Sequence, residues 1–120
     1  MTDVADQELV GRSAKFEVFQ GKDGDYYFRL IAGNGEIILR SEGYTTRQSA
    51  EKGIASVIEN APDARNIEQR EAKDGSFYFV VKAGNGEVIG VSEMYVSRSN
   101  AVRGARAVSA LTRIIRNDGQ

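Results

Sequence analysis

The sequence predicts an α+β domain made by tandem duplication of a β-β-β-α unit, with a last strand after the helix left open as an alternative. One shared antiparallel sheet should carry two helices on one face, about an internal pseudo-two-fold axis. Three observations lead there. At an offset of 51, residues 22–57 match residues 73–108 at 18 of 36 positions without a gap. Each copy contains a strand-length run with alternate residues apolar. Each copy then keeps small and apolar residues at helical spacing.

A unit this short buries too little surface to stand comfortably alone, since even a 60-residue domain buries only about 60% of its unfolded area. The two copies, 15–61 and 66–112, should therefore share one core within a single domain spanning 15–120. Asn60-Ala61-Pro62-Asp63 holds the only proline and marks the joint. Residues 1–14 read as a mobile arm, because they show no sustained period.

In order, Phe16-Glu17-Val18-Phe19 alternates as a short strand, and Gly21-Lys22-Asp23-Gly24 is turn chemistry. Tyr26 to Ala32 forms a second strand, with Tyr26, Phe28, Leu30 and Ala32 on one face. Phe77, Phe79, Val81 and Ala83 occupy that face in the second copy, so it is the core face. Gly33-Asn34-Gly35 supplies positive-φ positions for a tight hairpin, and a third strand runs from Glu36 to about Ser41. Gly90 replaces Leu39 in the second copy, which implies a bend or close packing. Thr46 and Ser97 suit helix N-caps. Ala50, Gly53, Ile54 and Val57 then recur at helical spacing, as do Ala101, Gly104, Ala105 and Val108, and the paired glycines imply close approach to the sheet. After Val108 two readings stay open. Leu111 and Ile115 continue the helical stripe, whereas Thr112 to Arg116 also fits a strand.

Composition excludes whole classes of chemistry. The 120 residues contain no histidine, cysteine or tryptophan, and their net charge is −1. Disulfides, thiolate or imidazole metal sites, Ser-His-Asp triads and Cys-His dyads are impossible. No metal site and no cofactor is expected. No apolar run approaches the length of a membrane span. Asp3, Asp6 and Glu8 stand where a secretory signal would be basic and then apolar, so a cytoplasmic protein is expected. The duplication makes an internal pseudo-dimer, so the protein should be a monomer.

Lys22-Asp23-Gly24, Tyr27-Phe28, Ala32-Gly33-Asn34-Gly35-Glu36, then Ser41-Glu42, Tyr44 and Arg47 before the helix all recur at the repeat offset. This ordered set resembles the YegP family of bacterial tandem-repeat domains of unknown function, over about residues 15–112. The resemblance implies a β-β-β-α-β unit, with paired units forming a single sheet and exchanging their last strands. It supplies no catalytic residues.

Several groups are candidates for function. Ser41, Glu42, Tyr44 and Arg47 recur as Ser92, Glu93, Tyr95 and Arg98 in a connecting segment, where sites often lie. Glu and Tyr are chemically able to act as acid or base. The same residues also suit a structural role, with the glutamates bonding backbone or arginine and the tyrosines covering the helix start. Tyr27 and Tyr78 lie on the outer strand face near Arg29 and Lys82, an arrangement that stacks single-stranded bases in some modules. Arg98, Arg103, Arg106, Arg113 and Arg116 occur with no acid between 98 and 116. On a helix they fall within an arc of about 140°. Such a face takes an acidic partner, RNA or an anionic membrane surface, or is simply solvated. Asp23, Asp25 and Asp74 read as turn residues, and the Gly-Asn-Gly segments as hairpins rather than phosphate loops.

A non-catalytic interaction module is therefore the expected function, its partner an unknown protein or polyanion. A weak single-stranded nucleic-acid binder is the first alternative. An enzyme acting through the Glu/Tyr pairs is the last.

Overall fold

Tandem hairpins and helices assemble as the repeat requires. A computed structural model describes residues 14–118. Residues 1–13, most of the expected arm, lie outside the described residues. Ala14 is buried in the core cluster.

The first copy contains β1 (Lys15–Gln20), β2 (Tyr26–Ile31), β3 (Ile37–Arg40) and α1 (Arg47–Asn60). A 3-10 turn at Ala64–Asn66 leads to β4 (Ile67–Glu71), β5 (Phe77–Lys82), β6 (Val88–Val91) and α2 (Arg98–Asp118). All pairings are antiparallel, in the order β1-β2-β3-β6-β5-β4. At the seam Arg40 pairs with Val91. These two residues are repeat equivalents, so the pseudo-two-fold axis passes between them.

Each hairpin turn uses one device. Asp23, Asn34, Asp74 and Asn85 each accept a hydrogen bond from the backbone N–H two residues on, at 2.9–3.0 Å. A glycine with φ near +88° to +90° then follows, as at Gly35 and Gly86. Asp23 and Asp74 are thus turn residues. Thr46 Oγ1 accepts from Ser49 N–H at 3.0 Å, and Ser97 Oγ from Asn100 N–H at 3.1 Å, so each hydroxyl caps its helix.

Both helices pack on the same face of the sheet. Phe28, Leu30, Leu39, Val57, Phe79, Val81 and Val108 are fully buried there, in one cluster drawn from both copies. Leu39 and Gly90 meet at the seam. A Cβ on Gly90 would lie 2.8 Å from Leu39 Cδ2. The axis brings this position against its own equivalent, and two leucines would not fit. Close packing, not a bend, explains the glycine.

The C-terminal segment corrects one expectation. The apolar stripe wins, and α2 continues to Asp118 with Val108, Leu111 and Thr112 buried. Thr112 Oγ1 satisfies itself within the helix by donating to Val108 C=O at 2.7 Å. The exchanged last strand implied by the resemblance is therefore not formed by 112–116. After α1 the chain enters β4, which is the first strand of the second copy and pairs with β5. Each unit is β-β-β-α.

Candidate functional site

The repeated polar motif builds the entry to each helix. Ser41 is buried; its Oγ accepts from Phe28 N–H at 2.9 Å and donates to Glu42 C=O at 2.8 Å. Ser92 does the same with Phe79 N–H at 2.9 Å and Glu93 C=O at 2.7 Å. Tyr44 exchanges two backbone hydrogen bonds with Tyr26, and Tyr95 two with Phe77. The Arg47 guanidinium lies 5.7 Å from the Tyr26 ring centre, and Arg98 lies 4.9 Å from that of Phe77. Burial, with smaller contributions from nearby glutamates, raises the pKa of Tyr44 and Tyr95, so both hydroxyls stay protonated at neutral pH. Glu93 accepts from Arg40 across the seam at 2.6 Å; Glu42 has Val91 in that arginine's equivalent place. Replacing Ser41 or Ser92 by Ala leaves a buried N–H without its partner. Each change should cost about 1–2 kcal/mol in denaturant titration.

The outer sheet face collects the predicted aromatic and basic residues but does not join them. Tyr27 stacks on Phe19 with ring centres 5.8 Å apart, and Arg29 lies 4.7 Å over the same Phe19 ring. These side chains, with Ile37 and Arg40, line a depression of about 260 Å³. Tyr78 and Lys82 are on β5, three strand spacings from Tyr27, or about 14 Å. The basic groups here are paired. Arg29 meets Glu17 at 2.6 Å, Lys82 meets Glu68 at 2.6 Å, and Arg70 meets the same Glu68 at 3.1 Å. Tyr27 donates to Asp23 Oδ2 at 2.5 Å, which pushes its pKa up to about 12.

On the other face, α2 behaves differently. Among the described residues, none of its arginines takes part in an ion pair with a carboxylate. Arg103 bonds Asn100, and Arg113 donates to Pro62 C=O at 2.8 Å beside Ser109, which donates to the same oxygen at 2.9 Å. Those two bonds clamp the joint between the copies. Arg103, Arg106 and Arg113 are exposed.

Between α2 and β4 lies a groove of about 400 Å³, lined by Ile67, Gln69, Val102, Ala105, Arg106 and Arg113 among others. Sequence comparison of the two copies explains it. Phe16, Val18 and Ile54 of the first copy become Ile67, Gln69 and Ala105. In the first copy Phe16 packs edge-on against Phe28, with centres 5.9 Å apart. Smaller side chains in the second copy leave space. Gln69 Nε2 reaches Ala101 C=O only at 3.5 Å, and its buried Oε1 has no partner. Gln69→Val restores the first copy's residue and removes that buried acceptor, so it should stabilise the fold by about 1 kcal/mol, read from the urea midpoint. The signal for this groove was available in the repeat, as three core-face positions that change between copies.

The family described as "Domain of unknown function (DUF1508)" matches residues 22–68 and again 72–112. The chain belongs to the DUF1508 family. Among DUF1508 relatives, a UPF0339 protein of Pseudomonas aeruginosa is 45% identical over 83% of this chain and 91% of its own length. UPF0339 protein YegP of Escherichia coli K12 is 46% identical over 79% and 86%. The solution structure of Escherichia coli YegP, described as a protein of unknown function, superposes with a TM-score of 0.78 at 44% identity, covering 83% of this chain and 86% of that one. A UPF0339 protein of Shewanella oneidensis gives 0.75 at 38% identity, over 81% and 82%. The two DUF1508 matches cover one hairpin and helix each, the first running on past the joint to residue 68, consistent with a tandem duplication. Among the described residues, no helix is long and apolar enough to cross a membrane.

Proposed function

We propose that this DUF1508 protein is a cytoplasmic, monomeric, non-catalytic binding module that receives an acidic partner on the α2 side of its second copy. One observation carries the reading. On the outer sheet face Arg29 and Arg40 each pair with a carboxylate and Arg70 and Lys82 share Glu68, whereas among the described residues the α2 arginines pair with none. A charge already paired at about 2.6–3.1 Å gives little to a second anion, because the first must be displaced. An arginine row without carboxylates attracts anions at no such cost. The repeated Ser/Glu/Tyr/Arg motif supports a module rather than an enzyme, since its serine hydroxyls bond the backbone and its guanidinium groups lie on core-edge rings.

Titration of the ¹⁵N-labelled protein with poly-glutamate and with single-stranded RNA tests this at low and physiological salt. Poly-glutamate should shift α2 resonances, and the change Arg103→Ala with Arg106→Ala should weaken binding and flatten its salt dependence, each lost contact lowering the slope. Tighter binding of RNA than of poly-glutamate would move the assignment to nucleic acid. No binding of either at low salt would end the proposal.

A further inference from the structure

β4 is an edge strand whose open side adjoins the groove under α2. Antiparallel ladders alternate pairs that exchange hydrogen bonds with pairs that point theirs away. Ala72 N–H donates to Ser76 C=O at 2.8 Å, which makes Ala72–Ser76 a bonded pair, and Arg70–Tyr78 and Glu68–Val80 follow in register. The backbone groups of Gln69 and Glu71 then point outward from the edge, with the C=O of Ile67, whose N–H is taken by Ala64 C=O. Their partners Phe77 and Phe79 agree, since both spend their backbone groups on the far side, toward Tyr95 and Ser92. The side chains of Ile67 and Gln69 line the groove. One short stretch therefore offers unpaired backbone and an adjoining slot.

We propose that an extended, acidic segment of a protein partner adds to the sheet beside β4 and lays its helix-side residues in this groove. Backbone hydrogen bonds to Gln69, Glu71 and the C=O of Ile67 supply affinity, and the slot supplies selection among side chains. Arg106 and Arg113 lie seven residues apart on one helix face, about 10.5 Å along the axis. They face two carboxylates carried by alternate or next-alternate helix-side residues, whose spacings are about 7 and 13 Å. Between them the groove is apolar apart from Gln69 and Ser109. A threonine fits that slot, its methyl against Ala105. The first copy does not offer the same slot: Phe16, Val18 and Ile54 stand at the equivalent positions, with Ala55 in place of Arg106 and Ile58 in place of Ser109.

This proposal rests on the acidic-partner reading above, and its test separates the two. The probe is a seven-residue peptide, acetylated and amidated, with glutamate at its second and sixth positions and threonine elsewhere. A matched peptide carries N-methyl groups on alternate amides of its edge-facing side, which keeps the charge and blocks strand pairing. The parent should slow amide exchange at Gln69 and Glu71 at least tenfold, and the N-methylated peptide should bind at least tenfold more weakly. Ala105→Ile, which puts the first copy's residue back, should abolish parent binding with the melting transition retained. Arg106→Ala should weaken it several-fold and serves if the first variant does not fold. Binding that shifts α2 alone, with equal affinity for both peptides, would overturn strand addition while leaving the acidic-partner reading intact. Exchange that slows at β4 with rising protein concentration and no peptide would assign the edge to a second copy and overturn the proposal.

Discussion

Phe28→Ala and Phe79→Ala should each cost about 3–5 kcal/mol, and each should destabilise both copies together. Both rings are fully buried. Phe28 packs edge-on against Phe16 and stacks on Tyr44 at 6.2 Å, while Phe79 stacks on Tyr95 at 6.3 Å. Removing either ring deletes these contacts and leaves a cavity bounded by sheet and helix, which the backbone ladder prevents from collapsing. Cooperativity follows from the packing. Core residues of both copies form one cluster, and Leu39 of the first copy fills the space over Gly90 of the second. Urea unfolding followed by far-ultraviolet circular dichroism and by tyrosine fluorescence should give coincident single transitions for both variants. A variant in which one copy melts while the other stays folded would show that the copies have separate cores.

What the sequence made legible is what depends on neighbours a few residues away. The strands follow from alternation, the turns from Asp or Asn followed by Gly, and the helix starts from Thr46 and Ser97. Other features depend on which distant residues meet. The segment 112–116 satisfies both periods, and only the burial of Leu111 and Thr112 decides for helix. Gly90 needed the two-fold axis, because its neighbour Leu39 is its own repeat equivalent. The charge pattern needed the strand register. Arg29 faces Glu17 across β1 and β2, and Arg40 reaches Glu93 across the seam, so residues that read as a basic-aromatic surface are neutralised. The Ser/Glu/Tyr/Arg motif persisted in both copies for a reason that local pattern does not reveal. Ser41 and Ser92 complete the ladder beside the two core phenylalanines. The groove at Gln69 came from a difference between copies, whereas repeats draw attention to what they share.

Gly104→Ala and Gly53→Ala test whether helix propensity or packing governs these positions. Propensity alone gives a gain of about 0.8–1.0 kcal/mol, since each glycine lies inside a helix. Packing opposes it. A Cβ on Gly104 would lie 2.7 Å from Tyr95 Cζ and closer still to its hydroxyl, with Phe79 Cε2 at 3.2 Å. At Gly53 the corresponding distances are 2.8 Å to Tyr44 Cζ and 2.9 Å to Phe28 Cε2. Neither ring is free to swing away. Tyr95 is stacked on Phe79 and tied through its backbone to Phe77, and Tyr44 is held likewise by Phe28 and Tyr26. Packing therefore wins, and with overpacking at about 2–3 kcal/mol against that gain each substitution should destabilise by about 1–2 kcal/mol net. Thermal melts of Gly104→Ala, Tyr95→Phe and the double variant would separate the causes. Removing the hydroxyl takes away the nearest atom but leaves the ring, so the double variant should recover part of the loss, with a coupling of about 0.5–1.5 kcal/mol. A higher melting temperature for Gly104→Ala alone would mean that the Tyr95 ring yields, and that the glycine is kept for something other than the room it leaves.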